Sequence, residues 1–240
     1  MDYSQILSQQ FNIKEEYAKN IITLLDDGNT IPFIARYRKE MHGSMDDQLI
    51  REFAEKLEYL RGLDKRRDEI RSLIDAQEKL TDEINLALDK AATLSELEDI
   101  YRPYRPKRKT RASIAKEKGL EPLANDILKQ EKGFDPSKSA VDYIDEEKGV
   151  TSVEDAIQGA MDIIAELVSD NAEIRKRIRN LTNANGVLVS VATDEEKDSV
   201  YKNYYDYKEP VKKIAGHRVL ALNRGEAEKV LTVKVNAPEE

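Results

Sequence analysis

The residues with the clearest chemical potential are six cations in one short segment of the chain. Six of the ten residues at positions 102–111 are basic, and no acidic residue occurs between positions 100 and 117. The whole chain, by contrast, has a formal net charge of −8. Guanidinium and ammonium groups bind phosphate oxygens, and arginine and tyrosine side chains stack on bases. The segment is therefore a candidate nucleic-acid-binding surface, which we call the basic segment: Arg102, Arg105, Lys107, Arg108, Lys109 and Arg111.

Two other interpretations of the basic segment stay open at this point. Cations in an acidic protein also pair with carboxylates of the same chain, and each exposed pair contributes about 0 to 1 kcal/mol. The same cations can instead dock an acidic protein partner. Pro103 and Pro106 fix their own φ angles and lack an amide donor. Because the residue before a proline avoids helical backbone, the sequence predicts an extended segment over positions 101–107.

This sequence contains few residues or motifs that could support catalysis. The chain has no cysteine, no Gly-rich phosphate loop, no zinc-ligand spacing and no Gly-x-Ser-x-Gly motif. Its two histidines, His42 and His217, lie far apart in the sequence. Acidic pairs such as Asp46-Asp47 are typical of a solvated helical surface. We therefore expect a protein that is not an enzyme and has no cofactor or metal, and we interpret His217 as a helix cap or a loop hydrogen-bonding residue.

The composition indicates a thin aliphatic core and a charged surface. Charged residues make up 36% of the chain, tryptophan is absent, and only four phenylalanines occur. This is typical of long helices packed side by side. The start of the chain lacks the features of a signal peptide, and no apolar run approaches the roughly 20 residues that span a bilayer. With no disulfides to form, we expect a cytoplasmic protein without membrane contact.

Apolar periodicity predicts a mainly α fold, an elongated multi-helix assembly. Residues 1–44 are predicted as a helix-turn-helix-like segment. In it, Asn12 with Glu15 resembles a capping box, and Gly28 supplies a left-handed residue that ends a helix.

Residues 45–182 are predicted as a helical region that carries the basic segment. A long helix runs from about Met45 to Gln77, with Ser44 as its cap and a mostly regular apolar spacing. Gly62 in its middle costs about 1 kcal/mol relative to alanine, which indicates a close helix contact or a slight kink. A later helix, over positions 171–181, is predicted to be part of the core.

Residues 183–240 are predicted as a mixed α/β segment that leads to domains absent from this chain. Positions 187–191 and 231–235 have strand-like patterns and can pair. Positions 201–207 hold four of the eleven tyrosines and are predicted as a helix packed on the bundle, with base stacking as the alternative. The chain ends soon after the second strand-like run, which indicates a piece of a longer protein.

Three strings in this sequence resemble one known family. Thr30–Glu40 and Glu96–Ala124 closely resemble the amino-terminal region of the Tex family of bacterial transcription accessory proteins, and Ile214–Glu226 resembles the segment that leads toward that family's RNase-H-like domain. The resemblance covers nearly the whole chain. It departs from the family pattern at Met41-His42-Gly43, where a Thr-Gly-like turn is usual, and at Met161, where a basic residue is common. From the first string we add Arg36, Arg38 and Lys39 to the candidate nucleic-acid-binding residues.

The resemblance implies a non-catalytic helical scaffold and accessory nucleic-acid-binding region of a transcription accessory protein. Members of the family continue with an RNase-H-like domain without evident catalytic residues, helix-hairpin-helix elements and an OB-fold, the main nucleic-acid binder. None of these is in this chain. RNA or DNA would therefore bind mostly through the full-length parent, without sequence preference, and the transcription machinery is a further expected partner. The alternative is a protein-interaction module whose basic segment docks an acidic partner or the parent's own missing domains.

Overall fold

The computed structural model of this chain describes residues 2–106, 108–194, 196 and 198–238. The chain divides into two compact units, Met1–Tyr104 and Arg105–Glu240, here called unit one and unit two. Helices dominate both units, and the described strands form one small antiparallel sheet in unit two. The predicted mainly α class with a small β element near the end of the chain is confirmed. In the described part of the chain, no helix is both long and apolar enough to cross a membrane.

Unit one is built from seven helices within its described residues. Its helices are α1 (Tyr3–Phe11), α2 (Glu15–Asp26), α3 (Ile31–Tyr37), α4 (Lys39–His42), α5 (Asp47–Asp75), α6 (Asp82–Lys90) and α7 (Leu94–Tyr101), followed by a 3₁₀ turn, Arg102–Tyr104.

The first helices show how local chemistry sets their ends. Asp2 caps α1, because its carboxylate accepts the backbone N–H groups of Ser4 and Gln5. The prediction that Asn12 caps α2 is wrong: Asn12 has left-handed backbone, with φ of 51°, and ends α1. Asparagine tolerates this conformation better than most residues. Gly28, with φ of 80°, follows the end of α2 as predicted.

Helix α5 is the long predicted helix, and it braces two apolar clusters. Its first half contributes Phe53 and Leu57 to a cluster with α1, α2 and α3, and its second half contributes Ile70 to a cluster with α6 and α7. The predicted cap is wrong by two residues. Ser44 has left-handed backbone, and Asp46 caps the helix by accepting the N–H of Leu49 at 2.8 Å.

Gly62 lies in the middle of α5 without the close contact that the sequence allowed for. No other described atom comes within 4 Å of the position that a Cβ would take. The helix is continuous through this residue. The cost of a glycine in a helix is therefore not offset by closer packing in unit one.

A buried arginine, which the sequence analysis did not single out, joins α5 to α6. Arg67 is almost fully buried and donates to the backbone oxygens of Leu88 and Ala91, each at 2.9 Å. It also forms an ion pair with Asp64. The guanidinium thus adds a donor for carbonyl oxygens at the end of α6, where the regular hydrogen bonds of the helix run out.

The backbone at the start of the basic segment is not extended, so that prediction is wrong. Tyr101 is the last residue of α7 and is buried, and Arg102 continues in helical backbone with φ of −52° and ψ of −43°. The preference of a residue before proline is weak enough for tertiary packing to override. Pro103 then fits within the 3₁₀ turn, whose first residues need no amide donor.

Unit two contains a second group of helices and the sheet. Its elements are α8 (Arg111–Glu117), α9 (Glu121–Lys129), α10 (Pro136–Ala140), a 3₁₀ turn (Val141–Tyr143), α11 (Val153–Asp170), α12 (Ala172–Asn185), β1 (Val187–Ala192), a 3₁₀ turn (Lys202–Tyr204), β2 (Asp206–Pro210), a 3₁₀ turn (Val211–Lys213), α13 (Gly216–Ala227) and β3 (Leu231–Asn236).

Helices α8 and α11 pack closely because the residues between them are small. A Cβ added to Gly159 would clash with the side chain of Leu120 and press on Ala115. Ser152 caps α11 by accepting the N–H of Asp155, as the sequence predicts. The prediction for α12 is wrong. None of its residues, all of which the structure describes, is buried, so α12 is not a core helix.

The sheet has the order β2-β1-β3. The two predicted strands pair antiparallel, with Val187 opposite Asn236, which confirms that part of the prediction. The predicted tyrosine-rich helix is wrong, because the segment forms the short 3₁₀ turn and then β2. Tyr201 is buried beside Leu222 and Leu231, so the tyrosines close one face of the sheet together with α13.

Candidate nucleic-acid interface

The described cations of the basic segment within unit two are all exposed. Arg105, Arg108, Lys109 and Arg111 lie at or just before the start of α8, whereas Lys107 lies outside the described residues. A reciprocal capping box fixes this start. Thr110 accepts the N–H of Ser113 at 3.0 Å, and the hydroxyl of Ser113 accepts the N–H of Thr110 at 2.8 Å. The capping box holds the backbone that presents Lys109 and Arg111.

Carboxylates of unit two lie within reach of this segment. Lys109 Nζ is 3.1 Å from Glu117, and Arg111 Nε is 3.7 Å from Asp162 on α11. Both cations are strongly exposed, so each pair contributes at most about 1 kcal/mol. The hydroxyl of Thr110 also donates to Glu166 at 3.0 Å. Pairing within the chain therefore exists here, but it is weak enough for a phosphate to replace it.

Unit one carries a second patch, formed by Arg36, Arg38 and Lys39 with two aromatic rings. Arg38 lies 5.1 Å from the ring centroid of Phe33 and donates to the backbone oxygen of Tyr37 at 3.1 Å. The rings of Phe33 and Tyr37 are 5.4 Å apart, and Tyr37 is 58% exposed. An exposed ring beside cations suits base stacking. We call these five residues the α3–α4 patch.

The remaining predicted residue, Arg102, belongs to unit one. Arg102 is half-buried. Both Arg102 and Arg105 interact with other groups of the chain. Within the basic segment, Arg108, Lys109 and Arg111 are exposed, and the ion pairs of Lys109 and Arg111 are weak.

The sequence analysis missed a basic run on α12. Four of the five residues at positions 175–179 are basic, a signal that was visible but was outweighed by the apolar spacing of the helix. Glu166, the partner of Thr110, precedes Asn171, the cap of α12, by five residues. At 1.5 Å per helical residue, this places the basic segment of unit two roughly 10 Å from the start of α12.

The two histidines have different environments, and neither lies beside a nucleophile among the described contacts. His42 is fully buried, and its Nε2 is 3.1 Å from the backbone oxygen of Ile34. His217 is exposed in the first turn of α13, whose cap is Ala215, so its predicted role as a cap is wrong. The described residues contain no group of three or more side chains that could hold a metal ion.

Arg218, next to His217, anchors α13 to the sheet. It pairs with Glu209 on β2 at 2.6 Å, and Tyr207 donates a hydrogen bond to the same carboxylate. The hydrogen bond from Tyr207, together with the guanidinium of Arg218, holds the pKa of Glu209 below its usual range. This cluster is a structural contact within unit two.

These features define a helix-rich protein that presents cationic surface patches. Residues 1–75 match the family description "Tex-like protein N-terminal domain", and residues 131–240 match "Tex central region-like". The chain belongs to the Tex family of transcription accessory proteins.

Relatives of this chain agree with the family match. "Uncharacterized protein YdcI" of Bacillus subtilis is 45% identical over 99% of this chain and 34% of its own length. "Transcriptional accessory protein Tex" of Neisseria gonorrhoeae is 39% identical over 97% of this chain and 31% of its own length. "S1 RNA-binding domain-containing protein 1" of Homo sapiens is 33% identical over 98% of this chain and 24% of its own length. The chain thus spans about a quarter to a third of the length of these relatives.

Proposed function

We propose that this chain is a non-catalytic helical region that assists a transcription accessory protein in binding nucleic acid. The observation that carries the proposal is the exposed group Arg108, Lys109 and Arg111 in a chain whose net charge is −8. The names of two relatives, a transcriptional accessory protein and an S1 RNA-binding-domain protein, support it.

The proposed mode of binding is an exchange of partners. A phosphate oxygen replaces Glu117 at Lys109 and Asp162 at Arg111, because both cations are strongly exposed and their pairs are weak. Phosphate contacts carry no sequence information, so the binding is independent of sequence. The α3–α4 patch supplies a separate site at which Tyr37 stacks on a base.

Fluorescence anisotropy with a short, labelled, single-stranded oligonucleotide tests this proposal. We expect Arg108→Ala/Lys109→Ala/Arg111→Ala to bind the oligonucleotide more weakly. The slope of the logarithm of the binding constant against the logarithm of the salt concentration should become flatter by about two to three, since each phosphate contact contributes about 0.7 to 0.9 to this slope. The melting temperature should change little, because the pairs that are lost are exposed.

A matched variant removes the same charge elsewhere in unit two. Lys129→Ala/Lys138→Ala/Lys148→Ala breaks three exposed pairs with Asp126, Asp135 and Asp145. It should leave the salt dependence unchanged. Equal weakening by both variants would mean that only net charge matters. Unchanged anisotropy with a lowered melting temperature in the first variant would assign the basic segment to internal pairing instead.

A further inference from the structure

Helix α12 is amphipathic, yet its apolar side is only partly covered within unit two. Ile174, Ile178 and Leu181 follow one another at four- and three-residue steps and so share one side of the helix. Ile178 is 53% exposed and Leu181 is 43% exposed. A 14-residue helix is only marginally stable alone. It is held here chiefly by α11 and the turn Val211–Lys213.

The last turn of α11 adds more exposed aliphatic surface beside α12. Leu167 is 50% exposed and Val168 is 43% exposed, and both lie within one helical turn of Asn171, which joins the two helices. Single exposed aliphatic residues are normal, but a group of this kind in one part of the surface marks an interaction site.

The charge of α12 is opposite to that of the chain. It contains Arg175, Lys176, Arg177 and Arg179 against one acidic residue, Glu173, whereas the whole chain carries −8. Arg175 donates to the backbone oxygen of Ser169 at 3.3 Å, so its side chain lies back along the α11–α12 corner. With 3.6 residues per turn, Arg175 and Arg177 lie on either side of the line of Ile174, Ile178 and Leu181, whereas Lys176 lies on the opposite side of the helix.

We infer that α12 docks an acidic amphipathic helix of a partner protein. Aliphatic side chains of that helix would cover Ile178 and Leu181 and remove their apolar surface from water. Its carboxylates would face Arg175 and Arg177 at the two edges of this apolar side. A nucleic acid fits less well, because phosphates would meet the cations but leave the aliphatic side chains in water. This inference is independent of the function proposed for the basic segment.

The test uses the full chain and two synthetic peptides of about 18 residues, or five helical turns. The probe peptide has leucines at three- and four-residue steps with glutamates between them, and the second peptide has the same composition without an apolar side. We expect the chain to bind the probe peptide at least tenfold more tightly. Ile178→Ser/Leu181→Ser should weaken this binding at least tenfold with no loss of helical circular dichroism.

A matched variant separates this patch from general surface apolarity. Leu128→Ser/Val141→Ser removes two comparably exposed aliphatic side chains elsewhere in unit two and should leave peptide affinity unchanged. Equal binding of both peptides, or probe binding that survives Ile178→Ser/Leu181→Ser, would overturn the inference. So would oligonucleotide binding that this variant abolishes, which would assign α12 to nucleic acid. Self-association that the variant abolishes, measured by sedimentation, would assign the surface to a second copy.

Discussion

Helices α5 and α12 have similar apolar spacing, but the apolar side of α5 is buried and that of α12 is largely exposed. Helix α5 buries eight of its residues, whereas α12 buries none of the residues that the structure describes in it. Five other helices of unit one pack around α5, while α12 has its main contacts with α11 and one short turn. Apolar spacing thus shows which side of a helix is apolar. Only distant parts of the chain decide whether that side is covered.

The largest difference in the free energy of unfolding should come from truncating one apolar side chain on each of these two helices. Phe53 is fully buried in α5, and its ring lies 5.3 Å from that of Phe11. Phe53→Ala should lower the free energy of unfolding by about 3 to 5 kcal/mol, because it leaves a cavity. Ile178→Ala in α12 should cost under about 0.5 kcal/mol, as expected for an exposed site. Urea denaturation measures both, and similar losses would mean that α12 is buried in solution.

A smaller difference in the free energy of unfolding should separate two arginines of α5, the buried Arg67 and the exposed Arg61. Arg67→Met removes the guanidinium donor from the oxygens of Leu88 and Ala91 and should cost about 1 to 3 kcal/mol. Arg61→Met breaks a two-pronged pair with Asp26, at 2.7 and 2.8 Å, in which both side chains are exposed. It should cost at most about 1 kcal/mol. Equal costs would show that the burial of Arg67 adds nothing to stability.

The pair with Asp26 also makes a prediction about pH. The hydrogen bond from Arg61 holds the pKa of Asp26 below its ordinary value. The stability that it contributes is present above the unfolded-state pKa and is lost as pH falls through the lowered folded-state pKa. The difference between the wild type and Arg61→Met should therefore shrink in acid, as thermal melts over a pH series would show. A constant difference would mean that the arginine acts through packing alone.

The smallest effect concerns Gly62, and it should be a gain. Since no other described atom lies within 4 Å of a Cβ at this position, Gly62→Ala adds helix propensity without a clash. It should raise the free energy of unfolding by about 0.5 to 1 kcal/mol. Urea denaturation again provides the measurement. A loss of stability would indicate that α5 bends at this residue in solution.

Features that depend on neighbouring residues were predictable from the sequence. Thr81, Thr93 and Thr110 each accept an N–H three residues later and cap α6, α7 and α8. The family was also recognisable from its strings. These signals are local, because a cap or a string needs only a few adjacent positions.

Features that depend on distant packing were not predictable in this way. The helical backbone of Arg102 follows from the burial of Tyr101, and β2 forms because β1 offers an edge to pair with. Within the candidate site, the cations were identified from their spacing, but Asp162, the neighbour of Arg111, comes from a helix more than forty positions later. Spacing along the chain cannot reveal such a contact.

Gly159 has a consequence for genetic screens. Any side chain at this residue would push Leu120 aside and press on Ala115 of α8, the helix that begins at Arg111. A screen for altered nucleic-acid binding should therefore recover Gly159 substitutions, because they would displace α8, whose start presents Lys109 and Arg111. The position of these charged side chains therefore depends in part on a residue that carries no charge and has no side chain.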